Sequence, residues 1–141
     1  MTDMNHAVEA VVDRYCEAIG TQDVEDFLSL WTGEEQNVLI SGSNYFEGIR
    51  NITDAFLIGG IQKAYSSIRL IKEDIRIHPV TDDTAIVVFR YHTVCTRRET
   101  GAPYGIRGLE TQVLKKTENG WKITHIQYSG KEIDLETLAY I

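Results

Sequence analysis

A chain of 141 residues with two cysteines is long enough to bury roughly two-thirds of its unfolded surface as one domain without disulfide staples. Its longest apolar runs, such as residues 85–89, fall far short of the roughly 20 residues that span a bilayer, and its N-terminus is polar and acidic, which argues against a membrane partner and for a soluble, cytoplasmic protein. The net charge of −7 is concentrated in residues 1–35, which hold nine acids against the single base Arg14; this argues against a nucleic-acid partner, because phosphate binding relies on Lys and Arg.

Ala7, Val8, Val11, Val12, Tyr15, Cys16 and Ile19 recur at helical spacing with Glu9, Asp13 and Glu17 on the opposite stripe, so the chain opens with an amphipathic helix that Gly20 stops. Asp23 is an N-cap for a second helix, with Asp26 three residues on and Val24, Phe27, Leu28 and Trp31 as its apolar face. A short strand over residues 37–41 reaches the turn Gly42-Ser43-Asn44. Tyr45-Phe46-Glu47-Gly48 then leads into a third helix of about a dozen residues that ends near Gly59-Gly60.

From Ser66 onward the hydrophobic period falls to two. Strands are predicted at residues 68–77, closed by His78-Pro79, and at 84–98, 104–116 and 121–131. The turns between them are short, so consecutive strands pair antiparallel. Helices followed by a meander define an α+β domain: a cone-shaped, curved antiparallel sheet packed against three N-terminal helices. The whole chain, 1–141, reads as one domain with its core at 7–130. The extension 131–141 carries Ile133, Leu135, Leu138 and Ile141, as a tail that docks on the subunit or a neighbour does. Cys16 on a helix and Cys95 in a strand read as buried thiols.

The order of elements, with Glu110-Thr111-x-Val113, Gly120-Trp121, His125 and Ser129-Gly130, resembles the SnoaL-like branch of the nuclear transport factor 2-like superfamily. That superfamily includes ketosteroid isomerases, small dehydratases and the association domain of calcium/calmodulin-dependent protein kinase II. Arg14-Tyr15, Gln22-Asp23-Val24-Glu25 and Phe46-Glu47-Gly48 extend the likeness over roughly residues 7–130. The resemblance implies a cone that binds a small apolar molecule, on a fold that hosts enzymes and assembly modules alike. Ketosteroid isomerases carry a catalytic Asp on the first strand, whereas this chain has Asn37-Val38-Leu39-Ile40-Ser41 with no carboxylate, which argues against that isomerase activity. The kinase association domain lines its cavity with arginines where this chain holds Tyr91, Gln112 and Tyr128, so a carboxylate-binding arginine cage is missing.

The resemblance puts Tyr128 in the cavity, and alternation then brings Ile126 and Thr124 to the same face while Trp121, Ile123, His125 and Gln127 look outward. On neighbouring strands Glu110, Gln112 and Leu114 share the cavity with Val87, Phe89, Tyr91 and Thr93, and Tyr15 enters from the first helix. Tyr91, Gln112, Trp31, Phe89 and Ile126 are the expected substrate contacts, with core packing the favoured reading for Trp31. Glu110 is the candidate acid or base: a carboxyl group held among aromatic rings loses hydration, which favours its neutral form and moves its pKa toward neutrality. The competing reading is an ion pair with Arg90 or Arg107. Tyr15, Tyr91 and Tyr128 can donate hydrogen bonds to a developing oxyanion, or satisfy one another while filling space.

His92 and His125 are expected close together on the outward face, but a third ligand is absent and no metal is assigned. That face, with Val88, His92, Trp121, Ile123 and His125, is an apolar surface for a second copy to cover, giving a homodimer or higher homo-oligomer. The leading functional reading is a small-molecule-binding protein acting as a lyase or isomerase. Glu110 abstracts a proton next to a carbonyl of a small apolar substrate, Tyr15 and Tyr128 donate hydrogen bonds, and no cofactor is required. The alternative is a non-catalytic ligand-binding or assembly module resembling the kinase association domain.

Overall fold

The computed structural model describes residues 2–133. Helices α1 (Thr2–Thr21) and α2 (Val24–Ser29) lead into strands β1 (Val38–Ser41) and β2 (Asn44–Glu47). A short helix α3 (Ile49–Asn51) continues as a π-helix over Ile52–Gln62. Strands β3 (Tyr65–Thr81), β4 (Thr84–Arg97), β5 (Pro103–Tyr104), β6 (Ile106–Thr117) and β7 (Gly120–Glu132) follow. They form one curled sheet in the order β2-β1-β7-β6-β4-β3, with β5 beside β4. The α+β cone read from the sequence is present, with one refinement: β1 pairs with β7 in parallel, so the sheet is mixed. The tail expected to dock lies, from residue 134 on, outside the described residues.

Local chemistry sets where elements begin and end. The Asp23 side chain accepts a hydrogen bond from the Asp26 amide at 3.0 Å, the N-cap bond that an orphan helix donor needs. Helix α1 runs past Gly20 to Thr21, and its left-handed exit is taken by Gln22 at φ 58°. Residues 45–47, read as part of a lead-in to the third helix, instead fold back with Asn44 as β2 on β1 across Gly42, whose φ is 61°. Strand β3 does not close at His78-Pro79. As the edge of the sheet it tolerates a proline that lacks a donor, and a register irregularity between Pro79 and Thr81 absorbs the misfit.

The core lies between the helices and the concave face of the sheet. Val8, Val12, Tyr15 and Ile19 of α1 are each at most 2 % exposed. The Phe27 ring of α2 packs at about 6 Å from the rings of Tyr15, Trp31 and Phe56. Burying each such side chain contributes on the order of 1.5–3 kcal/mol.

One irregularity reverses part of the expected face assignment. Between Val113–His125 and Leu114–Ile123 the β6–β7 register shifts, leaving Thr124 as an extra residue. A bulge of this kind inverts the alternation on one side of it. Ile123, expected outside, is fully buried and bridges to Trp31, and half-buried Trp121 packs against the core. The bulge is held by Asn37, fully buried, whose side-chain oxygen accepts from both Thr32 and Thr124. His92 is also lost to the expected partner face: it is 3 % exposed, with Nδ1 2.7 Å from Glu73. Nor does it meet His125. His92 pairs with Arg107 and His125 with Val113, a separation along the sheet of roughly 20 Å at 3.3 Å per residue.

Beyond the bulge the inward rows are regular. Val87, Gln112 and Ile126 form one row, Phe89, Glu110 and Tyr128 the next, and Tyr91, Gly108 and Gly130 the third. The third row has no side chain on β6 or β7, and the two strands close up there. A Cβ on Gly108 would sit 1.8 Å from the Ser129 carbonyl oxygen, and one on Gly130 would sit 2.8 Å from the Tyr91 hydroxyl. Gly108→Ala is therefore expected to destabilise the protein by about 2–4 kcal/mol in chemical denaturation, because rigid backbone blocks the added methyl; an unchanged midpoint would contradict this geometry.

Candidate functional site

The glycine row leaves a hollow of about 350 Å³ in the wide half of the cone, at the small end of the roughly 300–1,000 Å³ found for small-molecule sites. Glu110 and Tyr128 line it from the sheet, Tyr15 and Ile19 from α1, and Phe56 and Ile61 from the π-helix. Tyr65, Ile68 and Leu70 of β3, Tyr91, Thr93 and Cys95 of β4, and Tyr104 of β5 also line it. Among the described residues, no Lys, Arg or His lines the hollow.

The sequence reading brings Glu110, Tyr15, Tyr91 and Tyr128 to this hollow, and all four line it. Trp31, Phe89, Gln112 and Ile126, expected as substrate contacts, do not. They are at most 3 % exposed: Phe89 is packed beside Glu110 in the same row, and the others fill the narrow end of the cone beneath it. Their positions follow from the rows: Gln112 and Ile126 sit one row deeper than Glu110, where opposing side chains already meet. Tyr65 and Tyr104 were missed. They stack at 5.9 Å with an interplanar angle of 14°, and the Arg97 guanidinium lies 4.0 Å over Tyr104. The register pairing of Tyr65 with Arg97 and of Tyr104 with Cys95 assembles them, and nothing local to either tyrosine announces it.

Each polar tip has a definite hydrogen-bonding role. The Ser41 hydroxyl donates to the Tyr128 oxygen at 2.7 Å, which leaves the Tyr128 proton free to donate elsewhere. The Tyr91 hydroxyl donates to the Ser129 carbonyl at 3.2 Å, so toward a ligand it can only accept. Burial raises the pKa of Tyr15 and Tyr91, and raises that of Tyr128 to about 12 against the opposing Ser41 bond. All three stay neutral donors or acceptors at ordinary pH. The ring of Tyr128 is held edge-on by Tyr91 at 6.0 Å and Phe56 at 6.1 Å.

Glu110 is 2 % exposed. It has neither Arg90 nor Arg107 as a partner; its bond is from the Gln112 side-chain amide, which donates to Oε2 at 2.7 Å. Desolvation dominates and raises its pKa from 4.5 to about 8, while the Gln112 bond pulls the other way. Near neutral pH the group is mostly a carboxylic acid with a substantial ionised minority, the balance that suits proton transfer.

Comparison with known proteins places this geometry. The profile of the SnoaL-like domain matches residues 8–131. A nuclear transport factor 2-like superfamily protein from Salmonella enterica serovar Typhimurium superposes with a TM-score of 0.87 at 26% identity, covering 92% of each chain. A proposed dehydratase of the same superfamily from Streptomyces avermitilis superposes at 0.77, with 20% identity over 89% of this chain and 95% of that one. A proposed calcium/calmodulin-dependent protein kinase II association domain from Xanthomonas campestris gives 0.74, with 18% identity over 88% and 85%. A search of curated proteins finds no match. No described helix is long and apolar enough to cross a membrane.

Because the folded state keeps the Glu110 proton that the unfolded chain releases, Glu110 costs nothing below pH 4.5. It then lowers stability progressively as pH rises toward about 8. Glu110→Gln removes this dependence. Relative to the parent, the variant should gain a few kcal/mol between pH 4 and pH 8.5, at about 1.4 kcal/mol per pKa unit. Denaturant titrations at both pH values measure this, and a pH-independent difference would mean that Glu110 has an ordinary pKa.

Proposed function

The chain belongs to the SnoaL-like domain family, and from that premise we propose that it moves a proton on a small, uncharged, largely apolar molecule, as a lyase or isomerase without a cofactor. The observation that carries this reading is the buried carboxyl group of Glu110, the lone one among the described residues, in a tyrosine-walled hollow that no described cation lines. In the ionised state Glu110 takes a proton from carbon next to a carbonyl. The carbonyl oxygen gains negative charge as the proton leaves. Tyr15 and the free proton of Tyr128 donate to it, and such donors act most strongly where water is excluded. Glu110 then returns the proton to another carbon, or to a leaving group.

Two features select the substrate under this reading. Aromatic walls such as Phe56 and Tyr65, with Ile19 and Ile68, favour apolar surface. The lack of a lining cation among the described residues leaves a permanently anionic ligand without compensation for its lost hydration. The proposed dehydratase with the same fold is a precedent for elimination on this scaffold and no more. A purely ligand-binding role is the second reading, since the hollow and its donors serve it as well.

Deuterium exchange into the carbon next to the carbonyl of 1-tetralone, followed by proton NMR, separates the two. The proposal expects catalysed exchange that rises with pH and levels off above about 8, with Glu110→Gln slowing it by about 100- to 10,000-fold. Saturable binding of the ketone with no exchange above the buffer rate would leave the binding role, and an equal rate in the variant would remove Glu110 from the chemistry.

A further inference from the structure

We propose that Gln112 is a positioning residue for Glu110: its amide holds one carboxyl oxygen from the closed end of the cone and so assigns the other oxygen to the proton that faces the hollow. The proposal rests on the reading of Glu110 as the proton-transfer group. Gln112 is fully buried, stands one row below Glu110 on the same face of β6, and does not line the hollow. Its role is therefore not contact with a ligand. Its Nε2 lies 2.7 Å from Glu110 Oε2, a donor bond that strengthens when the carboxyl ionises.

The cost of this side chain is visible. Gln112 Oε1 is buried and has no hydrogen-bond partner among the described residues. An apolar side chain of the same length would avoid leaving an acceptor unsatisfied in a dry interior. What the amide supplies, and Met would not, is the donor to Glu110. Since Oε2 is engaged from below, Oε1 of Glu110 is the oxygen left for the substrate's proton, and the bond holds the carboxyl plane while that proton comes and goes. The other titratable groups near Glu110 are Tyr15 and Cys16 of α1, Tyr91 of β4 and Tyr128 of β7. Burial raises the pKa of each, so none ionises across the range in which Glu110 does.

Gln112→Met tests this, with Gln112→Leu beside it as a second apolar replacement should either fold poorly. The carboxyl carbon of Glu110 is followed by carbon-13 NMR from pH 4 to pH 10. Loss of the donor should move the titration midpoint upward by about one to two pH units. For exchange into 1-tetralone, the maximal rate near pH 7 should fall about tenfold or more, as the ionised fraction falls by that factor, with the KM nearly unchanged. A residue that merely fills space would lower stability equally at pH 5 and pH 9, whereas the positioning role confines the loss to pH 9. A parent midpoint near 8 that is unmoved in both variants overturns the positioning role and leaves Glu110 as the proton-transfer group. A parent midpoint near 4.5 overturns both.

Discussion

The structure depends on keeping water away from one carboxyl group. Placing Glu110 at 2 % exposure among tyrosine rings costs several kcal/mol if it is charged and little if it is neutral. The fold resolves this by letting the group hold its proton to about pH 8. A group that ionises so close to physiological pH is a proton store rather than a fixed charge. The rest of the site is arranged around that property: one amide donor beneath it, hydroxyl groups across from it, and, among the described residues, no cation beside it to drag the pKa back down.

The hollow is made by omission. Inward rows below Glu110 are filled, and the row above it has glycine on two adjacent strands, which removes side chains where the cone widens. The Tyr91 hydroxyl occupies the space that a Gly130 side chain would need and is tied to the Ser129 carbonyl. Curvature, cavity and hydrogen-bond polarity thus come from the same few positions. The π-helix closes the opposite side with Phe56 and Ile61. Its wider turn is a conformation often found at functional sites.

Much of this was legible in the chain because periodicity and turn chemistry are local. Helix α1, the Asp23 cap, the meander and the inward set of Glu110, Tyr91 and Tyr128 all follow from spacing of 3.6 or 2 and from one resemblance. What was not legible is non-local. The Thr124 bulge is stabilised by Asn37, far away in sequence, and it turns Ile123 inward against an otherwise clean alternation. The depth of the hollow is decided by whether side chains on three strands meet, so Phe89, Gln112 and Ile126 could be placed on the right face yet not on the right side of the cavity floor. The Tyr65–Tyr104 stack needs two registers at once, which no single segment carries.

The carboxyl group of Glu110 keeps its proton at near-neutral pH because burial raises its pKa to about 8. Infrared difference spectroscopy between the parent and Glu110→Gln at pH 6.5 reads that proton, because a neutral carboxylic acid absorbs at a frequency that carboxylates do not share. The parent should show a neutral-acid band that is absent from the variant and disappears from the parent as pH is raised past about 8. A difference spectrum with no neutral-acid band at pH 6.5 would show Glu110 to be an ordinary ionised carboxylate.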